Sequence, residues 1–204
     1  MPWRNEIVGW MSIQDLKCIE QIASEVPANG TIVEIGSMFG RSSVCWALSA
    51  DPSVTVYCID LFEEVRIFNH GALEEECLKF SFPLPDKMYN AKTEFIKNTQ
   101  DLKNIVAIQR NSPGEITWTN TEIDILFIDA EHKNPGDWNN IQFFAPFIKE
   151  GGIICGHDYN DAFPDIMRNV QKLEELTGNV VDLRGSANIW TIKIDKKITI
   201  ADIV

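Results

Sequence analysis

Apolar positions recur along the chain in two alternating rhythms. From Ile13 they fall at Leu16, Ile19, Ile22, Ala23 and Val26, the spacing of one helix face. Ser12 and Asp15 form a capping-box pair at its start, and the Pro27-Ala-Asn-Gly30 turn stops it, so an N-terminal helix is predicted over about 12–26. Short apolar runs over residues 31–35, 54–59, 105–108, 123–128 and 152–156 read as strands. The fourth, "IDILFI", has the pattern of a strand covered on both faces. Helical spacing fills the gaps over 40–50, 89–100, 135–150 and 163–177, the last closed by Gly178. Two final strands, over 180–184 and 188–194, are joined by so few residues that they must pair antiparallel.

Repeated βα units of this kind predict an α/β, Rossmann-like, doubly wound sheet, mostly parallel and ending in an antiparallel hairpin strand. Residues 61–88 break the rhythm. They carry Glu63, Glu64, Glu74, Glu75 and Glu76 beside Phe62, Phe68, Phe80 and Phe82, and read either as a lid over a site or as an acidic surface insertion.

Composition narrows the picture. With 204 residues, 45% of them hydrophobic, and no Gly-, Ser- or Pro-rich linker, residues 1–204 are expected to form a single domain. The formal net charge of -12 argues against nucleic acid and anionic membranes, which are bound through clustered Lys and Arg. Five cysteines at wide spacings, without a C-x-x-C pair, suit reduced buried thiols. The N-terminus lacks an apolar signal core and no run has the length of a membrane span, so a soluble, cytoplasmic protein is expected.

The candidate chemistry starts at "VEIGSMFGRSS". Glu34 stands near the end of the first strand, Gly36 at the turn and Gly40 at the helix start. Glycines there let backbone approach a ligand and leave helix N–H groups facing it. The spacing is one residue short of a phosphate loop, with Arg41 in place of the lysine, and G-x-G-x-x-G is absent, which disfavours a nucleoside triphosphate and a nicotinamide dinucleotide. Asp60, ending the second strand, is placed to accept hydrogen bonds from ribose hydroxyls. A ribose without a pyrophosphate, and a cation beside Glu34, point to S-adenosylmethionine. Ser42 and Ser43 serve either as helix caps or as ligand contacts.

"FIDAEH" and "GGIICGHDY" add a second constellation. With the first turn and "IDL", they resemble the class I S-adenosylmethionine-dependent methyltransferases, in particular the small-molecule family with the FIDAxH and GGxxxxHDY patterns. The resemblance spans nearly the whole chain. It implies a seven-stranded sheet in which the first, fourth and fifth strands are neighbours, with Asp129, His157 and Asp158 meeting beside the methyl donor. It further implies donor contacts from Glu34, Gly36, Ser37, Gly40, Ser42, Ser43, Asp60, Leu61 and Asp129, and adenine contacts near Ser112. Metal-dependent relatives of similar fold suggest Asp129 and Asp158, with His157 as a third, as ligands of a divalent ion such as Mg²⁺ or Mn²⁺.

Transfer to a hydroxyl needs a proton acceptor, and either His132 or His157 can be that base, with Asp158 beside them. His132 could equally be a residue that orients Asp129, and Asp129 could simply bind the donor's cationic end. Asn134 and Asn140 stand where the family often has a tyrosine and an acid, on the expected acceptor side. Trp3, Trp10 and Met11 precede the first helix, where a flap over the site would lie. The leading expectation is a methyltransferase acting on a small-molecule hydroxyl, a sugar or glycoside first and a catechol-like acceptor second. The alternative is a silent donor-binding protein within a larger assembly. Neither nucleic acid nor membrane is expected as a partner, and homo-oligomerisation is left open.

Overall fold

The computed structural model describes residues 1–67, 87–119, 121–184 and 188–203. Seven strands form one sheet: β1 (Thr31–Ile35), β2 (Thr55–Asp60), β5 (Ile105–Gln109), β6 (Ile123–Ile128), β7 (Ile148–Gly156), β8 (Asp182–Arg184) and β9 (Ile189–Lys193). Their order is β5-β2-β1-β6-β7-β9-β8. The pairs among β5, β2, β1, β6 and β7 are parallel, whereas β9 runs antiparallel to both β7 and β8. The predicted sheet is therefore observed, with its C-terminal hairpin. Strand order reverses between β1 and β6, and a crevice opens beyond the carboxyl ends of strands at such a switch.

Every residue of β1 and β6 is buried, as continuous apolar runs demand when both faces are covered. Ile32 and Phe127 face a core shared with helix α1 (Ile13–Ser24) and helix α2 (Arg41–Ser49). Val33, Ile35 and Leu126 face a second core with helix α4 (Gly136–Phe144) and helix α5 (Pro164–Thr177). The capping box is present: Ser12 Oγ accepts from the Asp15 N–H, and Asp15 Oδ2 accepts from the Ser12 N–H. Trp3 is buried in the first core, a position that no helical period of the sequence reveals.

Three differences from the sequence pattern have local causes. The helix expected over 135–150 ends at Phe144, and Ala145–Phe147 forms a single 3₁₀ turn. Pro146 lacks the N–H that a continuing helix needs, and Ile148 pairs with Ile123 instead. The helix expected over 89–100 is α3 (Ala91–Thr99), preceded by a short strand β4 (Lys87–Asn90). That strand pairs antiparallel with β3 (Glu64–Ile67), forming the base of the 61–88 insertion. The rest of that insertion, with Phe68, His70, Glu74, Glu75, Glu76, Phe80 and Phe82, lies outside the described residues. A last helix α6 (Ile200–Ile203) follows the sheet.

Cys18, Cys45, Cys58 and Cys155 are buried and free, whereas Cys77 is outside the described residues. Among the described residues, no helix is long and apolar enough to cross a membrane.

Candidate active site

Backbone hydrogen bonds continue the sheet past its strands and align the loops above it. The Gly36 N–H donates to the Ile59 carbonyl (2.9 Å), the Asp129 N–H to the Ile35 carbonyl (2.9 Å) and the His157 N–H to the Ile128 carbonyl (3.2 Å). Residues distant in sequence thus stand side by side on one rim, around a cavity of about 930 Å³. A Cβ added at Gly36 would lie 2.0 Å from the Asp129 carbonyl oxygen, and Gly36 has φ +91°, so only glycine lets the first turn pass there.

The end expected to hold the donor is built on this turn. Gly36, Ser37, Ser42, Asp60, Leu61, Ser112 and Asp129 all line the cavity. The Asp60 carboxylate accepts from the Met38 N–H (2.8 Å) and the Phe62 N–H (2.6 Å), which fixes it between the first two strand ends. A carboxylate offers about four lone-pair sites, so two backbone donors leave capacity for ribose hydroxyls. Glu34, Gly40 and Ser43 are not in the lining. Glu34 is fully buried behind the turn and accepts from Ser43 Oγ, while the Gly40 carbonyl accepts the first helical bond of α2. Burial pushes the Glu34 carboxyl above its ordinary range, against the opposing serine hydroxyls around it. These three residues hold the turn from behind. Ser112 Oγ donates to Asn140 Oδ1 (2.6 Å), so Asn140 belongs to the expected adenine end and not to the acceptor side.

The second constellation divides two histidines that the sequence left equivalent. The His157 side chain is 7% exposed and lies among three carboxylates. Its Nε2 is 3.4 Å from Asp15 Oδ2, and its Nδ1 is 3.2 Å from Asp158 Oδ2 and 3.8 Å from Asp129 Oδ1. Burial alone would lower its pKa, but Asp15, Asp158 and Asp129 together hold it up to about 10. The three acids favour the protonated ring, so the buried His157 is less suited than an accessible imidazole to the expected role of base or metal ligand, and its contacts anchor the acids.

His132 is the accessible partner, with a side chain 34% exposed in the cavity wall. Its Nε2 lies 2.7 Å from Asp158 Oδ2 and 3.9 Å from Asp129 Oδ1, and its ring packs on Phe163 with centroids 4.6 Å apart. The hydrogen bond to Asp158 raises its pKa above 6.5, burial opposes, and the charges of Asp158, Asp129 and Asp137 add to the rise. Burial would raise Asp158, yet its bonds to both histidines hold it well below the usual carboxylate range. Burial raises Asp129, and the Asp158 charge adds to it. One ligand atom each from Asp129, His132 and Asp158 lies within 4.8 Å of the others, so a divalent ion would meet His132 in place of the expected His157.

Four contributors escaped the sequence pattern. Asp15 reads there only as a cap, although it also reaches His157. Arg41 reads as a substituted lysine, yet its guanidinium is buried and donates to the carbonyls of Met11 (3.0 Å) and Ile7 (2.7 Å). It thereby holds Val8, Gly9, Trp10 and Met11 as a wall of the cavity. Asn140 supports Ser112, and Asp137 is a buried acid that desolvation pushes up to about 7. Asp15, Arg41 and Asn140 were visible in the sequence in other roles, and Asp137 left no signal there.

This sheet order, with a crevice at the β1/β6 switch, is the Rossmann-like fold of the S-adenosylmethionine-dependent class I methyltransferases. The chain belongs to the methyltransferase-domain family, whose model matches residues 33–159. It is similar in structure to the O-methyltransferase NovP, with TM-score 0.63 and 16% identity over 90% of this chain and 81% of that one. It is also similar to an S-adenosylmethionine-dependent O-methyltransferase from Thermotoga maritima (TM-score 0.60, 14% identity, 94% of this chain and 69% of that one). A putative rRNA methylase from Clostridium thermocellum gives TM-score 0.58 at 12% identity, covering 94% of this chain and 99% of that one. No curated protein sequence matches.

Proposed function

We propose that the protein transfers a methyl group from S-adenosylmethionine to a hydroxyl of a small-molecule acceptor, with His132 taking the hydroxyl proton. The observation that supports it best is the 2.7 Å contact of His132 Nε2 with Asp158 Oδ2 on the wall that also carries the Gly36 turn. The donor supplies a methyl carbon already activated by its sulfonium. The chain's own residues hold, orient and deprotonate. Gly36 leaves its backbone open to the donor, and Asp60 keeps lone pairs for the ribose. With Nε2–H given to Asp158, the neutral His132 ring carries its lone pair on Nδ1, which accepts the proton as the oxygen–carbon bond forms. S-adenosylhomocysteine leaves, and the proton remains on His132 until solvent removes it.

The acceptor is a neutral hydroxyl compound in this reading, a sugar or glycoside first and a catechol-like molecule second. Glu63, Glu64 and Glu131 are exposed at the cavity mouth, and a phosphate backbone there meets like charge. The Asn134 backbone N–H donates to the Asp165 carboxylate and the Asn140 side chain accepts from Ser112, and neither bond involves the His132–Asp158 pair. A second reading adds a metal. Asp129, His132 and Asp158 would hold a divalent ion, with the imidazole favouring Mn²⁺ over Mg²⁺, and such an ion lowers the pKa of a bound hydroxyl.

The test is direct. Donor at about 100-fold over its dissociation constant should stabilise the fold by roughly 2.7 kcal/mol. His132→Ala should cut kcat by roughly 100- to 10,000-fold with the donor KM unchanged. The rate should rise with pH through an apparent pKa above 6.5, because the base works deprotonated and Asp158 raises it. Turnover that survives EDTA assigns the proton to His132 alone, whereas loss of turnover restored by Mn²⁺ favours the metal. Donor binding without release of S-adenosylhomocysteine, across hydroxyl acceptors, would make the protein a silent binder instead.

A further inference from the structure

Behind the active site, on the side of the second core, lies a small void with about 10 Å³ of room for the centre of a water molecule. Three isoleucines, Ile128, Ile141 and Ile166, form its apolar walls, and His157 borders it toward the cavity. The remaining lining is polar: Asp137, Asn169 and Trp190, which are only 7%, 5% and 3% exposed. Asp137 Oδ1, Asn169 Nδ2 and Trp190 Nε1 have no hydrogen-bond partner among the described residues. Orphaned buried groups each cost about 1–3 kcal/mol, so three around one void demand a shared partner.

The donor set decides what that partner is. Asn169 and Trp190 present N–H groups, which exclude a cation, and the unpartnered Asp137 oxygen beside them calls for an occupant that can also donate. The occupant must accept two hydrogen bonds and donate at least one. Water does this, buried waters typically make about three hydrogen bonds, and room of roughly 10–15 Å³ for one is what this void provides.

The three partners sit on elements that carry the active site. Asp137 is in the first turn of α4, immediately after the loop that bears His132. Trp190 pairs with Gly156 across β9 and β7, and a Cβ at Gly156 would come 2.8 Å from the indole. The indole therefore lies against the backbone that leads into His157 and Asp158. Asn169 joins them from α5. We propose that one buried water molecule, bound by Asp137, Asn169 and Trp190, ties the His132 loop to the His157–Asp158 turn. Its presence is independent of the reaction; the catalytic consequence rests on the methyltransferase reading above.

A crystal structure of the whole chain, at a resolution that defines ordered waters, should show a density peak within hydrogen-bond distance of all three atoms. Direct bonds among the three side chains, or an empty void, would overturn the site. Trp190→Phe removes the indole N–H with some loss of volume, and Asn169→Leu removes the side-chain amide with a modest gain. Each should lower the melting temperature by roughly 2–8 °C. The double variant should lose clearly less than the sum, because both act through one water. Additive losses count against the proposal. Trp190→Phe should also reduce kcat several-fold with donor and acceptor KM unchanged, whereas equal kcat in the destabilised variant would deny the positioning role. A water peak with coupled losses, in a protein that methylates no hydroxyl, would uphold the site and reject the reaction.

Discussion

At the scale of single residues, the environment of an imidazole sets its role. His132 and His157 both lie against Asp158 and Asp129, yet one has a third of its side chain exposed at the cavity and the other is buried between Asp158 and Asp15. Replacing His157 removes the buried imidazole that lies between Asp15, Asp129 and Asp158 and leaves these acids facing one another. His157→Gln should therefore destabilise the protein by about 3–5 kcal/mol in urea unfolding. Asp15→Asn should restore part of that loss in the double variant, because it removes one of the stranded charges. Additive losses would show that Asp15 is only a helix cap. Both histidines were legible in the sequence as candidates, but their separation was not. A pKa depends on neighbours through space, and Asp15 belongs to the N-terminal helix.

At the scale of elements, turns were readable where a backbone requirement leaves a residue signature. The Ser12–Asp15 cap, the Gly36 turn and the Gly178 stop were each legible, and so were strands buried on both faces. The β3–β4 hairpin was not, because "EVRI" and "KMYN" carry neither an apolar run nor a tight-turn pair between them. The same logic makes Gly36 the most sensitive position of the donor turn. Gly36→Ala forces a methyl group to within 2.0 Å of the Asp129 carbonyl at a φ of +91°. Its expected cost is roughly 2–6 kcal/mol, with donor binding lost in calorimetry even where the variant still folds. Unchanged donor affinity would mean that the turn does not meet the donor.

At the scale of the whole molecule, buried acids and one buried cation set the response to pH. His157 has its folded pKa raised from 6.5 to about 10, so its contribution is complete below 6.5 and is lost as pH rises toward 10. Glu34, Asp129 and Asp137 have raised pKa values, so each costs stability as pH climbs above the ordinary carboxylate range. Asp158 is depressed, and its contribution disappears as pH falls through and below 3.8. The four raised groups push in one direction, His132 with its raised pKa joins them, and the formal charge of -12 adds self-repulsion on the same alkaline side. The melting temperature should peak between pH 3.8 and 6.5 and decline steadily toward pH 10. A maximum above pH 8 would contradict the buried imidazolium.

By itself, the order of residues determined the alternation of strands and helices, the antiparallel ending, the glycine at the donor turn and the acidic residues at the strand ends. These are local matters: hydrophobic period, backbone conformation and turn chemistry act over a few neighbours. Folding alone decided that Asp15 meets His157, that Arg41 fixes the Val8–Met11 wall, that Asn140 serves Ser112 and that His132 faces the cavity. Those contacts join segments far apart in the chain, and burial and charge there depend on what the sheet packs together.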